Sequence, residues 1–127
     1  MTVAETPVPL PPALPAELAR RFEAIVFDWD GTAVPDRAAE ASRLRQLVGE
    51  LSEAGVHLAV VTGTHIGNVD GQLRARPQGH GRLYLCLNRG SEVFVVGTAG
   101  PEIVFRREAS PAENEALDAA ATATVAQ

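Results

Sequence analysis

Three short apolar runs, separated by segments with helical spacing, constrain the fold of this chain more than any other feature. The runs cover Ala24–Asp28, 56–61 and Leu83–Leu87. Their length and their content of Ile, Val and Leu are typical of buried strands. A helix is predicted between the first and second runs, and a weaker, glycine-interrupted one between the second and third. Strand and helix alternating at this spacing predict an α/β fold: a βαβαβ unit with a parallel, Rossmann-like sheet.

The two connecting helices have recognisable ends in the sequence. The first is predicted over residues 36–54, because apolar residues recur on one face and Asp36 is placed to cap its amino end. Gly55 stands where a glycine commonly ends a helix. The second helix is predicted over residues 65–75 and ends before Pro77.

Two carboxylates follow the first apolar run, in the segment Asp28-Trp29-Asp30-Gly31-Thr32. In α/β sheets, ligands collect at the carboxyl ends of the strands, where this segment must lie. One carboxylate at such a place can attack or hold a metal while the other transfers protons. A calcium loop of the EF-hand type does not fit, because its Gly and Glu positions are occupied by alanine. A solvated acidic turn is the alternative without chemistry.

A second polar segment, Thr62-Gly63-Thr64, follows the second apolar run. A hydroxyl together with backbone N–H groups that open toward a helix suits the oxygens of a phosphate. Parallel strands bring their carboxyl ends together, so Thr62 and Asp28 are predicted to be neighbours.

Together these two segments resemble the first two motifs of the haloacid dehalogenase (HAD) superfamily of phosphatases and phosphotransferases, the first of which is a strand ending in Asp-x-Asp-Gly-Thr. The later turn Asn88-Arg89-Gly90-Ser91 is similar to the Asn-Gly-containing turn of members that carry a large cap after the third strand. A β-hairpin follows in those members. Here the runs 92–96 and 102–105 flank a turn with Gly and Pro, which predicts the same hairpin.

The resemblance implies a division of the chain into three parts. Residues 17–90 correspond to the N-terminal half of a HAD core, and residues 91–127 to the hairpin and the beginning of a cap, with a helix after Ser110. Residues 1–16 contain five of the nine prolines and are predicted to be a disordered leader. A short helix over 16–22 is expected to lead into the first strand.

The resemblance also implies an activity: hydrolysis of a phosphomonoester through an aspartyl-phosphate, with Mg²⁺ as cofactor. Asp28 would be the nucleophile and Asp30 the general acid and base, and both would hold the metal. The substrate implied is a small phosphorylated metabolite, for example a sugar phosphate. The residues implied in phosphate binding are Trp29, Gly31, Thr32, Thr62, Gly63 and Thr64.

The chain departs from the family pattern in its cations and in its late acidic residues. The family uses a Lys, sometimes an Arg, and a late acidic pair, whereas all eleven basic residues here are Arg and no such pair follows. Arg89 is a candidate phosphate contact, although an exposed turn arginine is more often a solvated charge. The chain is therefore expected to be an N-terminal portion that is inactive alone and is completed by a downstream segment or a second chain. Two alternatives remain open: a non-catalytic phosphate-binding or regulatory module, and a half-domain completed by another chain.

The composition limits which classes of partner the chain can bind and indicates its cellular compartment. A net charge of −5 argues against nucleic acid or an anionic membrane as the main partner. Cys86 is the one cysteine and lies in an apolar run, so it is predicted to be a small buried hydrophobe in a reducing cytoplasm. No run is long enough for a membrane span, and the first residues lack the pattern of a signal peptide.

Overall fold

A five-stranded sheet is the centre of the computed structural model, which describes residue 13 and residues 15–126. The strands lie in chain order: β1 (Ala24–Asp28), β2 (His57–Val61), β3 (Leu83–Leu87), β4 (Glu92–Gly97) and β5 (Gly100–Arg106). β1, β2 and β3 are parallel, and β4 and β5 continue the sheet antiparallel. The predicted α/β fold is confirmed, and the mixed sheet is compatible with a Rossmann-like arrangement. The predicted leader, 1–16, lies almost wholly outside the described residues.

In the described part of the chain, three α-helices accompany the sheet: α1 (Ser42–Glu53), α2 (Ile66–Leu73) and α3 (Pro111–Val125). Gly55 follows α1 with a φ of 82°, so the predicted glycine end of this helix is confirmed. The helix predicted over 16–22 is only a single 3₁₀ turn, Ala16–Leu18. Among the described helices, none combines the length and the apolar character that crossing a bilayer requires.

The predicted start of the first helix is wrong. The prediction covered 36–54, but α1 begins at Ser42. The Asp36 carboxylate accepts the N–H of Ala38 at 2.8 Å and so closes a local turn instead of capping a helix. The backbone carbonyl of Asp36 accepts a further hydrogen bond from Gln72 Nε2 at 2.8 Å. Contacts with α2 therefore hold this segment in an irregular conformation that the local pattern does not encode.

The buried core lies on one face of the sheet. Alternate residues of β2 and β3 join Val48 of α1 and Val69 of α2 in one apolar cluster. The opposite face is more open, since Val26 and Val61 expose 67% and 44% of their surface. Cys86 lies on that second face and is only half-buried. The prediction of a buried Cys86 is therefore wrong in degree, because strand periodicity does not say which face is covered.

Among the described residues, β1 forms an edge of the sheet. Four of its five residues are exposed, including Ile25 and Val26. An apolar groove of about 230 Å³ runs between β1 and α1, lined in part by Ile25, Phe27, Leu44 and Leu47. An exposed apolar edge strand offers unpaired N–H and C=O groups to another strand. We therefore expect the chain to self-associate through β1.

We expect Val26→Lys to reduce this self-association. Val26 is 67% exposed, so the lysine reaches solvent and the free energy of unfolding should change by no more than about 0.5 kcal/mol. A charge on an edge strand opposes strand pairing. Sedimentation velocity over a concentration series measures the effect. Val125→Lys is the matched control, because Val125 is 87% exposed on α3, away from the edge. An equal reduction by both variants would show that charge alone, and not β1, governs association.

The predicted hairpin and the helix after it are confirmed. β4 and β5 pair up to Gly97 and Gly100. Ser110 caps α3, since its hydroxyl accepts the N–H of Glu113 at 3.1 Å and the Glu113 carboxylate accepts the N–H of Ser110 at 3.3 Å. Hydrogen bonding from Arg107, at 2.7 Å, holds the pKa of Glu113 below its usual value. No residue of α3 is buried, so local bonds hold this helix rather than packing.

Candidate functional site

The carboxyl ends of the three parallel strands bring the predicted motifs together. Asp28, the last residue of β1, is aligned with Val61 of β2, and Thr62 follows directly. The N–H of Thr62 donates to the carbonyl of Cys86 in β3 at 3.0 Å. The prediction that Asp28 and Thr62 lie at the same end of the sheet is confirmed.

A closed turn shapes the segment after Asp28. The carbonyl of Trp29 accepts three N–H groups, those of Thr32, Ala33 and Val34, at 3.1, 3.0 and 3.3 Å. Gly31 donates its own N–H to the carbonyl of Val34 at 2.8 Å, and its φ of 76° is one that glycine adopts without strain. The glycine of the motif is therefore required by the backbone of this turn.

Trp29 anchors this turn in the core. Its side chain is 1% exposed and belongs to the apolar core. The indole Nε1 donates to Gln72 Oε1 at 2.9 Å, and Gln72 Nε2 donates to the carbonyls of Asp36 and Ala39, each at 2.8 Å. Sequence reasoning missed Gln72, because a glutamine on a short helix gives no signal of such a role.

The two carboxylates have different surroundings. Thr32 Oγ1 donates to Asp28 Oδ2 at 2.9 Å, which orients the Asp28 carboxylate. Asp30 Oδ1 lies 3.8 Å from Arg37 Nε in a solvent-exposed ion pair, which contributes about 0–1 kcal/mol. The structure thus brings the Thr32 hydroxyl, predicted to bind phosphate, onto the predicted nucleophile.

Some of the predicted site residues have a free backbone N–H group, and others do not. Within the described part of the chain, the N–H groups of Trp29, Asp30 and Gly63 have no hydrogen-bond partner, whereas those of Gly31 and Thr32 are used by the turn. Unpaired N–H groups beside a strand end can donate hydrogen bonds to an anion. Two of the residues predicted to bind phosphate, Trp29 and Gly63, and the predicted catalytic residue Asp30 can therefore offer a backbone donor to phosphate.

Thr62 and Thr64 are buried and hold the second motif in place. Thr64 Oγ1 accepts a hydrogen bond from Asn68 Nδ2 at 2.6 Å, and the Thr64 carbonyl accepts the N–H of Asn88 at 2.9 Å. The carbonyl of Thr62 accepts the N–H of Arg89 at 3.4 Å. These bonds fix the second motif to α2 and to the turn after β3.

The turn after β3 lies against the second motif. A methyl group built on Gly63 would lie 3.7 Å from Arg89 Cγ and 4.0 Å from Arg89 Nε. The backbone of this turn is left-handed at Asn88, Arg89 and Gly90, with φ of 50°, 59° and 86°. The Arg89 side chain therefore lies against Gly63, a position that its place in the sequence does not reveal.

The candidate site is an open end of the sheet and not an enclosed cavity. A cavity of about 540 Å³ lies at the opposite end, lined in part by Phe22, Glu23, Val56 and His57. Among the described residues, no three His, Cys, Asp or Glu side chains form a cluster that could hold a metal. Mg²⁺ is commonly held by one or two carboxylates together with substrate phosphates. Asp28 and Asp30 offer two carboxylates at this end of the sheet.

Comparison with known proteins gives a fold and no family. No family model matches the chain, and no curated protein matches it significantly. The crystal structure of a hypothetical protein from Geobacillus kaustophilus HTA426 is similar, with a TM-score of 0.51 and 20% sequence identity. The match covers 80% of this chain and 37% of that one, so the chain spans well under half of that protein's length. At this identity the likeness shows the α/β fold alone.

Proposed function

We propose that this chain carries the nucleophile and the phosphate-binding half of a HAD-like phosphomonoester hydrolase. The observation that carries the proposal is the meeting of Asp28 and Thr62 at the ends of adjacent parallel strands. The free N–H groups of Trp29, Asp30 and Gly63 support it, because they can stabilise the transferring oxygens. The substrate proposed is a small phosphorylated metabolite, such as a sugar phosphate, in the cytoplasm.

In this mechanism the two carboxylates act in sequence. Asp28 Oδ1 attacks phosphorus, the bond to the leaving oxygen breaks, and the Asp30 carboxyl donates its proton to that oxygen. An aspartyl-phosphate results. Water then attacks phosphorus, Asp30 takes its proton, and the bond between phosphorus and Asp28 breaks to release phosphate. The hydrogen bond from Thr32 to Asp28 Oδ2 keeps the attacking oxygen oriented.

Charge balance is the reason for proposing that groups from outside this chain complete the site. The Asp28 carboxylate and the phosphate are negative, Asp30 becomes negative once it has given up its proton, and the chain contains no lysine. Mg²⁺, held by the Asp28 carboxylate and the Asp30 carbonyl, would neutralise part of this charge when bound. A further segment or a second chain would supply a Lys or Arg and the remaining acidic ligands. The open edge at β1 supports this proposal, because it leaves room for an added strand.

We expect the 127-residue chain alone to show no hydrolysis of an aryl phosphate in Mg²⁺ above the buffer rate. The natural protein, meaning this chain together with any further segment or second chain that completes the site, is expected to show hydrolysis that EDTA removes. Release of the phenol measures both. Turnover by the isolated chain that Asp28→Asn removes would show that the site is self-sufficient. Saturable phosphate binding without turnover in the natural protein would instead favour a non-catalytic phosphate-binding module.

A further inference from the structure

We infer that the Arg89 guanidinium is a phosphate-binding group, supplied to the site by the turn after β3. The inference rests on the proposed function and deepens it, because it assigns an unpaired cation to a site whose other arginine, Arg37, is paired with Asp30. Its ligand is a phosphate group with at least two free oxygens. Such a group matches the planar fork of a guanidinium.

Placement is the first support. The Arg89 side chain runs alongside Gly63, with Cγ and Nε within 4.0 Å of the position that a Cβ on Gly63 would take. The N–H of Gly63 has no partner among the described residues. The Arg89 side chain thus lies against Gly63, the residue that carries one of the free backbone N–H groups.

Backbone strain is the second support. Arg89 has a φ of 59°, between Asn88 and Gly90, which are also left-handed. Asparagine and glycine tolerate this conformation, but a long side chain is disfavoured in it. Glycine would serve the backbone better at position 89. Strained residues cluster at ligand sites, so this conformation supports a binding role for the Arg89 side chain.

The turn is braced, which gives Arg89 a defined origin. The Asn88 side-chain amide donates to the Glu92 carboxylate, which also accepts from Arg106 Nη2 at 2.8 Å. The backbone N–H groups of Asn88 and Arg89 donate to the second motif at 2.9 and 3.4 Å. The backbone from which the side chain extends is therefore fixed on both sides.

Arg89 also has a free charge. Within the described part of the chain, its guanidinium makes no ion pair and no hydrogen bond, whereas other arginines do. Arg76 and Arg106, for example, are paired with Asp70 and Glu92 at 2.8 Å. An unpaired guanidinium can bind an anion without first breaking an internal contact.

The test is titration of the chain with inorganic phosphate, followed by ³¹P NMR at constant ionic strength. Asp28→Asn is included in every variant, because it removes a repelling charge and blocks covalent transfer. Arg89→Gln is expected to weaken binding about 10- to 100-fold, and Arg89→Lys to restore part of the loss as a point charge. Arg82→Gln is the matched control, since Arg82 is an exposed arginine directly before β3, at the other end of the sheet.

Each other outcome has a definite meaning. Equal affinity of Arg89→Gln and its parent would overturn the inference, and so would the absence of saturable binding by the parent. If Thr62→Val weakens binding but Arg89→Gln does not, the phosphate site stands without Arg89. If Arg89→Gln weakens binding while Asp28→Asn leaves turnover intact in the natural protein, the Arg89 site stands and the proposed hydrolysis fails. Circular dichroism confirms that each variant is folded.

Discussion

Replacing Asp28 with asparagine is expected to abolish phosphate-ester turnover by the natural protein. An amide is a very poor nucleophile, so no aspartyl-phosphate can form, although the side chain keeps its shape and can still accept the hydrogen bond from Thr32. Asp30→Asn should instead lower kcat about 10²–10⁴-fold, because it removes proton transfer and leaves the nucleophile in place. Asp28→Asn should therefore prevent the aspartyl-phosphate from forming, whereas Asp30→Asn should only slow the reaction.

The measurement is kcat and kcat/KM for an aryl phosphate at saturating Mg²⁺, with mass spectrometry of acid-quenched protein to detect phosphate on Asp28. Asp36→Asn is the matched control, since it makes the same chemical change in the same loop and an asparagine can still accept from the N–H of Ala38. Near-normal turnover by Asp28→Asn would contradict the assignment of the nucleophile. A loss equal to that of Asp28→Asn in the control would point to loop structure instead.

Gly81→Ala is expected to have the largest effect on stability. A Cβ at position 81 would lie 2.1 Å from the carbonyl oxygen of Val56 and 2.9 Å from its nitrogen. The backbone cannot easily retreat, because the N–H of Gly81 donates to the carbonyl of Ser52 at 2.9 Å and Ser52 Oγ donates to the carbonyl of Gly81 at 2.7 Å. Two main-chain segments must separate to admit one methyl group. We expect a loss of about 3 kcal/mol or more in the free energy of unfolding.

Gly49→Ala provides the contrast. Gly49 is inside α1, and a Cβ there meets nothing within 4 Å. Alanine should therefore stabilise the helix, by about 0.5–1 kcal/mol. Urea denaturation followed by circular dichroism measures both variants. Destabilisation of similar size in both would mean that the close contact at Gly81 is relieved at little cost, against this expectation.

The sequence predicted the sheet well because each parallel strand is encoded locally. Ile, Val and Leu runs bounded by turn residues define β1, β2 and β3, and the parallel order then places Asp28 beside Thr62. The start of α1 was predicted wrongly, because Asp36 has the side chain of a helix cap but closes a turn that contacts α2. The local sequence shows that Asp36 could cap a helix or close a turn, and its contact with α2 decides that the turn forms.

Other parts of the site could not be predicted because they depend on residues far apart in the chain. Gln72 and Trp29 are 43 positions apart, and no pattern in either segment announces their hydrogen bond. The position of Arg89 beside Gly63 likewise depends on the register between β2 and β3. The openness of the second sheet face, which leaves Cys86 half-buried, depends on what covers that face and not on strand periodicity.

The carboxamide of Gln72 has a thermodynamic consequence for the whole end of the sheet. Its three hydrogen bonds join the loop that follows Asp28 and contains Asp30 to α2, a helix of only eight residues. Opening of α2 removes these bonds together, so loop and helix form one cooperative unit in local unfolding. By linkage, if folding of α2 strengthens the binding of a ligand at the ordered loop, that ligand must favour the folded state of α2 by the same coupling free energy. Amide hydrogens in α2 thus report on occupancy at a site that the helix does not itself form.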